Sequence, residues 1–299
     1  MTQSNQPLKD KVLLYHKGCP DGYGSRYCFE KKYRDEMSYI PVSHGKPPPE
    51  GLDGKEIWIA DFSYSRDILL GLKDRNKSIT VIDHHKTAEA NLRGLDFCHF
   101  DMAHCGAVLS WHYCNGINKP PPILLRYIED QDLWKWNLPF AKEILSVVDS
   151  YDYSFRLWDD LSNRLADDEK FALILEEGSA LLRQKSRNVI RIANNVHTLN
   201  ILGKEVPAVC SPIYQSELAE YITVQADADY GVTYYFDGTG YVFSIRGRET
   251  KDIDVSGIAV QFGGGGHKFA SGFKVTTLQE LSGGTIKPKR VRKSKAKDI

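Results

Sequence analysis

Three short apolar runs in the first half of the chain, at 12–15, 56–60 and 78–82, each end in a polar segment. A short continuous apolar run is typical of a strand that is buried on both faces of a sheet. Helical patterns follow these runs along the chain, at 26–33, 66–72 and 105–114. Because right-handed crossovers place successive strands in one sheet, this alternation predicts an α/β domain with a parallel sheet.

The second half of the chain changes character twice. Apolar stripes from 141 to 196 predict long amphipathic helices. Beyond them, strand-like runs alternate with helical patterns, which predicts a smaller α+β domain. We therefore expect a sheet domain at 1–140, a helical connector at 141–198, an α+β domain at 199–278 and a basic, disordered tail at 279–299.

Acids and histidines stand where the predicted strands of the first domain end. His16 and Asp21 follow the first run, Asp61 the second, and Asp83-His84-His85 the third. Ligand sites in parallel sheets lie at the carboxyl ends of the strands. Since carboxylates are rarely buried unpaired, a shared cation best explains their convergence. Oxygen and nitrogen ligands suit manganese, magnesium or iron better than a structural zinc.

Composition is that of an ordinary globular protein, with 299 residues, 41% hydrophobic content and a net charge of zero. The N-terminus is polar and no apolar stretch approaches the length of a membrane span, so we expect a cytoplasmic protein that does not contact membranes.

The tail from Lys287 contains seven bases and one acid, which suits either contact with nucleic acid or a solvated end.

Six cysteines occur without a C-x-x-C pair, so free thiols are expected. The segment 98–114 is dense in cysteine and histidine and is a candidate for a second metal site. Its helical pattern favours small buried cysteines that pack in a core instead.

The order of these motifs, together with the glycine-rich segment 263–272, resembles the DHH phosphoesterases that carry an associated DHHA1 domain. The resemblance covers roughly residues 10 to 276. It implies that 1–140 is a metal-binding catalytic domain and that 199–278 binds substrate.

The resemblance also implies roles for individual residues. Two divalent ions, most favourably Mn²⁺ with Mg²⁺ as the alternative, would be shared by a set of side chains in which Asp61 bridges the pair. His85 would stabilise charge on the phosphoryl oxygens, and Asp83 would orient His84. The implied metal ligands are His16, Asp21, Asp61, His84 and Asp130, with Asp132 as the alternative to Asp130. The implied contacts to a substrate phosphate or terminal nucleotide are Arg246, Gly264, Gly265, Gly266 and His267.

Cys19 departs from the family pattern, because the first motif usually has an aspartate at this position. A thiolate there could ligate a softer metal, or a protonated thiol could leave one ion loosely held. The implied function is exonuclease-like hydrolysis of short oligonucleotides or single-stranded nucleic acid by a chain that could form a homodimer. The alternatives are a phosphatase or phosphodiesterase of cyclic dinucleotides or nucleoside bisphosphates, and a catalytically weak nucleotide-binding protein.

Overall fold

Five parallel strands form the sheet of the first half of the structure, a computed structural model that describes residues 7–282. The strands lie in the order β2-β1-β3-β4-β5. Their bounds are β1 Lys11–His16, β2 Met37–Val42, β3 Glu56–Ala60, β4 Ser78–Asp83 and β5 Cys98–Phe100. The predicted parallel sheet is confirmed, with β1, β3 and β4 at the three apolar runs.

Two strands of this sheet, β2 and β5, were not predicted. Both are edge strands, so each pairs with a single neighbour. β2 contains Pro41, which an edge strand tolerates because one side of it needs no hydrogen bonds, and β5 has three residues. Neither shows the continuous apolar run by which a central strand is recognised.

Strands β1, β3 and β4 are buried because their side chains alternate between two apolar layers. Leu13 and Trp58 pack on one face, whereas Leu14 and Ile59 pack on the other. Full burial of each such side chain stabilises the fold by about 1.5–3 kcal/mol. Among the described residues of this half, the α-helices are α1 Pro20–Tyr33, α2 Arg66–Asp74, α3 Lys86–Leu92, α4 Gly106–Asn115, α5 Ile123–Asp132, α6 Ala141–Ser150, α7 Phe155–Leu165 and α8 Asp168–Ala193, which continues beyond it.

The strand order contains a topological switch between β1 and β3. From β1 the chain passes to β2 on one side and then returns to β3 on the other. Crossovers that leave in opposite directions open a crevice at the carboxyl ends of such strands, and ligands bind there. The ends of β1 and β3 are therefore where the fold favours a site.

A six-stranded mixed sheet forms the second half of the structure, in the order β10-β11-β9-β8-β7-β6. β7 and β8 are parallel and are connected through α9, whereas the other neighbours are antiparallel. The predicted α+β character is confirmed. The elements are β6 His197–Ile201, β7 Lys204–Cys210, α9 Gln215–Gln225, β8 Tyr230–Phe236, β9 Tyr241–Gly247, α10 Val255–Gln261, β10 Gly265–His267 and β11 Ala270–Val275.

The chain divides into two compact units, of which one ends at Leu182 and the other begins at Arg183. The finer division predicted at 140 and 198 stays a prediction. A 3-10 turn at Leu278–Ser282 buries Leu281, so residues 279–282 of the predicted tail are ordered structure. The basic residues from Lys287 lie outside the described residues. Within residues 7–282, every helix is too short or too polar to cross a membrane.

Candidate metal centre

Polar side chains meet at the carboxyl ends of β1, β3 and β4. His16 ends β1, Asp61 follows β3 directly, and Asp83 ends β4. Asp61 lies in the left-handed region with φ 53°, a conformation that aspartate tolerates better than most residues. Its backbone N–H donates to Ile82 O at 2.9 Å, which ties the turn to β4. The predicted convergence of strand ends is therefore present at the switch point.

His16, Cys19 and Asp61 form what we call the first ligand group. Cys19 Sγ lies 3.3 Å from His16 Nδ1 and 3.4 Å from Asp61 Oδ2. The third separation, His16 Nδ1 to Asp61 Oδ2, is 3.4 Å. Ligand atoms at about 2.0–2.3 Å from a single ion are roughly 3.0–3.7 Å from one another. The three atoms therefore have the spacing of ligands of one cation.

Asp21, His84 and Asp132 lie close to one another, and Asp61 also lies beside His84; we call these four residues the second ligand group. His84 Nε2 lies 3.4 Å from Asp21 Oδ2, 3.3 Å from Asp61 Oδ1 and 3.5 Å from Asp132 Oδ2. Asp61 thus belongs to both groups and offers one carboxylate oxygen to each. A carboxylate in this position would be able to bind one ion with each oxygen.

The ionisable groups of the second ligand group shift one another's pKa values. Burial raises the pKa of Asp21 well above its usual range, and the charges of Asp61 and Asp132 add to this effect. Burial likewise raises the pKa of Asp132 to about 6. Burial lowers the pKa of His84, but its hydrogen bond to Asp61 and the charge of Asp21 outweigh this and raise it to about 10. The buried carboxylates of the second ligand group therefore favour positive charge beside them.

The remaining carboxylate and the thiol respond differently to their surroundings. Burial alone would raise the pKa of Asp61, but hydrogen bonds with His16 and His84 bring it below its usual range. Burial raises the pKa of the Cys19 thiol, and the charge of Asp61 raises it further. Buried carboxylates and imidazoles in this arrangement fit a pair of divalent cations by their donor chemistry.

Helix α4 holds Asp21 by its N-terminus. The backbone N–H of Gly106 donates to Asp21 Oδ2, and that of Ala107 donates to Oδ1, both at 2.7 Å. These amides carry the positive end of the helix dipole, which favours the ionised carboxylate. A Cβ at Gly106 would lie 2.5 Å from the Asp61 Cβ. The glycine therefore allows α4 to approach both carboxylates.

Asp83 contacts His85 rather than the His84 ring. Asp83 Oδ1 lies 2.7 Å from His85 Nδ1 and accepts the backbone N–H of His84 at 2.8 Å. Ser63 Oγ donates to Asp83 Oδ2 at 2.6 Å. The predicted orientation of the His84 ring by Asp83 is thus replaced by orientation of His85, because the His84 ring turns toward the carboxylates of the second ligand group. The contact of His85 with a phosphate stays a prediction.

The structure does not bring Asp130 to either ligand group. Its carboxylate accepts the backbone N–H groups of Asn137 at 2.9 Å and Leu138 at 3.1 Å. Asp130 therefore stabilises the loop after α5, in which Trp134 and Trp136 both have positive φ. The alternative, Asp132, is the residue that lies in the second group. Residues two apart on a helix point about 200° apart, so only one of the two acids can face the centre.

Arg246 and His267 lie in one row of the second sheet. Arg246 on β9 is opposite Ala270 on β11, and Ala270 is opposite His267 on β10. Residues directly opposite in an antiparallel pair share a face, so these two side chains flank the small Ala270. Arg246 donates to Ile245 O at 2.8 Å and to Ser244 Oγ at 3.3 Å, whereas its Nε is buried without a partner among the described residues.

The glycine-rich segment is explained in part by strand packing. A Cβ at Gly264 would lie 2.2 Å from Gly272 O, and one at Gly266 would lie 2.5 Å from Ala270 O. Gly265 has open space at the same position. The close approach of β10 to β11 therefore requires two of the three glycines, and their contact with an anion stays a prediction.

The predictions for the cysteines and for the segment 98–114 can also be compared with the structure. All six cysteines are free, as predicted. Within residues 7–282, the clusters of three or more close ligand-type side chains include none from the segment 98–114. His104 Nδ1 instead lies 3.0 Å from Glu129 Oε2.

His44 lies beside the centre but carries no signal in the sequence. Its ring stacks on Phe62 with centroids 4.6 Å apart and lies 5.3 Å from the His16 ring. His44 belongs to the loop between β2 and β3, outside the motifs that the sequence shows, and only the fold brings it to the strand ends. Gly106 was missed for the same reason.

Comparison with known proteins identifies the family and the fold. No family model matches the sequence. The chain is 30% identical over 295 residues to an uncharacterized protein of Acanthamoeba polyphaga mimivirus, covering 90% of this chain and 68% of that protein. The DHH domain of a member of a ribosomal protein family superposes with a TM-score of 0.55 at 14% identity, over 89% of this chain and 82% of that one.

Two further solved structures match with lower TM-scores. A pGpG-specific phosphodiesterase from Vibrio cholerae has a TM-score of 0.47 at 12% identity, over 90% of this chain and 95% of that one. RecJ from Thermus thermophilus, in complex with Mg²⁺, has a TM-score of 0.43 at 14% identity, over 91% of this chain and 48% of that one. The chain therefore belongs to the family of the mimivirus protein and has the DHH fold, as the sequence motifs predicted.

Proposed function

We propose that this DHH-fold protein is a metal-dependent phosphoesterase that hydrolyses phosphodiester bonds of short oligonucleotides or single-stranded nucleic acid from an end. The observation that carries the proposal is the position of Asp61, whose Oδ2 belongs to the first ligand group and whose Oδ1 belongs to the second. Two divalent ions held by these residues, most favourably Mn²⁺ with Mg²⁺ as the alternative, would supply a hydroxide at neutral pH and would neutralise charge on the phosphate.

The proposed metal ligands are the residues of the two ligand groups. His16 and Cys19 complete the first group, and Asp21, His84 and Asp132 complete the second, with Asp132 in place of Asp130. Asp21 is kept in position by the amides of α4, so its carboxylate does not have to reorganise when an ion binds.

His85 has the role of contacting the phosphoryl oxygens. Asp83 accepts from its Nδ1 and is itself fixed by Ser63, so the imidazole has a set tautomer and orientation. A histidine held in this way donates a hydrogen bond to negative charge that develops on phosphorus-bound oxygens.

Substrate binding is proposed for the row formed by Arg246 and His267. The buried Nε of Arg246 has no partner among the described residues, and a buried donor of this kind is costly unless it is hydrogen-bonded. A phosphate of the substrate or its terminal nucleotide would satisfy it. The cytoplasmic location, the nucleic-acid partner and the homodimer stay predictions.

A substrate panel tests the proposal. The protein is incubated with Mn²⁺ or Mg²⁺ and with labelled dinucleotides, longer RNA, longer DNA and cyclic dinucleotides. We expect turnover of the dinucleotides and of single strands. Activity should fall by more than about 100-fold in the Asp61→Asn variant, because the shared carboxylate loses its charge and one of its two oxygens. Asp96→Asn is the matched control, since Asp96 is exposed and its carboxylate pairs with Lys73 at 3.0 Å, away from both ligand groups.

The outcomes separate the candidate functions. Exclusive turnover of cyclic dinucleotides would replace the exonuclease by a small-nucleotide phosphodiesterase with the same ligands. Absence of any turnover would exclude the phosphoesterase and leave a nucleotide-binding protein. Equal activity of Asp61→Asn and the unmodified protein would show that hydrolysis does not depend on this centre.

A further inference from the structure

The two ligand groups differ in the type of atom that they offer. The first contributes an imidazole nitrogen, a carboxylate oxygen and the sulfur of Cys19. The second contributes one imidazole nitrogen and three carboxylate oxygens. Sulfur is the one soft donor among these atoms, and it belongs to the first group alone.

The position of Cys19 is set by the junction between β1 and α1. Cys19 caps α1, and its Sγ accepts the backbone N–H of Gly22 at 3.3 Å. A Cβ at Gly22 would lie 2.2 Å from His16 O, so the first turn of α1 packs directly on the end of β1. This contact holds the sulfur beside His16 and Asp61. The packing of α1 on the end of β1 therefore fixes the position of the Cys19 sulfur in the first ligand group.

The chemistry of the donors separates the metals that they select. Thiolate and imidazole favour Zn²⁺, Co²⁺ and Fe²⁺, whereas sites made mainly of carboxylate oxygens favour Mn²⁺ and Mg²⁺. A thiol becomes a ligand when its proton leaves for solvent and the sulfur lone pair binds the ion. Cys19 releases one proton when an ion binds the first ligand group, and no oxidation takes place.

We propose that the centre is chemically asymmetric, with the first ligand group selecting a zinc-class ion through the Cys19 thiolate and the second group selecting Mn²⁺ or Mg²⁺. This inference rests on the two-ion site of the proposed function but not on its substrate. The competing state is a Cys19 thiol that donates to Asp61 Oδ2, at 3.4 Å, and leaves the first group with two ligands.

Cobalt absorption tests the proposal without an activity measurement. The metal-free protein is titrated with Co²⁺, and the near-ultraviolet band of charge transfer from thiolate to Co²⁺ is recorded. We expect the band to saturate at one equivalent, to be lost in Cys19→Ser and to persist in Cys210→Ser. Cys210 is exposed on β7 and serves as the matched control. Zn²⁺ should remove the band at concentrations about 10- to 100-fold lower than Mn²⁺.

A second variant keeps the proposal open to refutation if Cys19→Ser folds poorly. In Cys19→Asp, the affinity of the first ligand group for Mn²⁺ should rise by about 10- to 100-fold, and its affinity for Zn²⁺ should fall by about 10- to 100-fold. The proposal is overturned if the unmodified protein shows no charge-transfer band, or if Cys19→Asp binds Zn²⁺ and Mn²⁺ as the unmodified protein does. A band without hydrolysis of any substrate would overturn the proposed function and support the asymmetric centre.

Discussion

Replacement of Gly106 by alanine should weaken Mn²⁺ binding although the substitution adds only a methyl group. The new Cβ would lie 2.5 Å from Asp61 Cβ, 2.9 Å from Asp21 Oδ2 and 3.0 Å from Asp61 Cα. Carbon atoms pack at about 3.5–4.0 Å, so α4 and the Asp61 turn must separate by about 1 Å. Since the α4 amides hold Asp21, this movement displaces Asp21 and Asp61 relative to each other.

The magnitude follows from two effects. Overpacking of a tight contact costs about 1–3 kcal/mol in the free energy of unfolding. Displacement of groups that orient metal ligands lowers metal affinity by about 10- to 100-fold, or about 1.4–2.8 kcal/mol. Gly71→Ala is the matched control, because Gly71 lies inside α2 and its added Cβ would meet only Arg75 Nη1, at 3.7 Å. That variant should gain about 0.5–1 kcal/mol from its better helix propensity.

Two measurements check this prediction. Equilibrium binding of Mn²⁺ gives the affinity, and thermal unfolding with and without Mn²⁺ gives the stability of both variants. The reasoning is refuted if Gly106→Ala binds Mn²⁺ with the affinity of the unmodified protein. It is also refuted if Gly71→Ala loses metal affinity to the same extent, since the effect would then not arise at the α4 contact.

Further predictions concern the acids, the pH dependence, the metal and the tail. Asp130→Asn should lower the free energy of unfolding by about 1–3 kcal/mol with little loss of Mn²⁺ affinity. Asp132→Asn should lower the affinity for Mn²⁺ with little loss of stability. Equal losses of Mn²⁺ affinity in the two variants would contradict this assignment. The pKa of His84 in the folded protein is raised to about 10, so the protonated ring stabilises the fold. This contribution to the free energy of unfolding is complete below pH 6.5 and is lost as pH rises toward 10. Tm in EDTA should therefore fall over this range. A Tm independent of pH in EDTA would exclude that pairing. Mn²⁺ at 100 times its Kd should raise the free energy of unfolding by about 2.7 kcal/mol, and an unchanged Tm would show that no ion binds the folded state. Removal of residues from Lys287 onward should flatten the salt dependence of binding to single strands and leave dinucleotide hydrolysis unchanged; an unaltered slope would exclude the tail from binding.

The central strands of the first sheet were predictable from the sequence, whereas its edge strands were not. β1, β3 and β4 are buried on both faces, so each shows an apolar run that local composition reveals. β2 and β10 carry no such run, because their pairing is determined by the neighbouring strand. Gly265–His267 becomes a strand only because β11 lies beside it.

The residues of the candidate centre also divide into those that the sequence predicted and those that it did not. His16, Asp61 and Asp83-His84-His85 follow apolar runs directly, and parallel strands end at one edge, so their convergence was determined by the sequence. The choice of Asp132 over Asp130 depends on the rotation of α5 about its axis, which packing sets.

Three contacts were decided by the tertiary structure alone. They are the contact of Asp83 with His85, the support of Asp21 by the amides of α4, and the meeting of the Cys19 sulfur with His16 and Asp61. Each depends on how a side chain turns or on how closely a helix approaches a strand. Residue order along the chain determines which elements form and where they end, but these distances arise only when the elements pack.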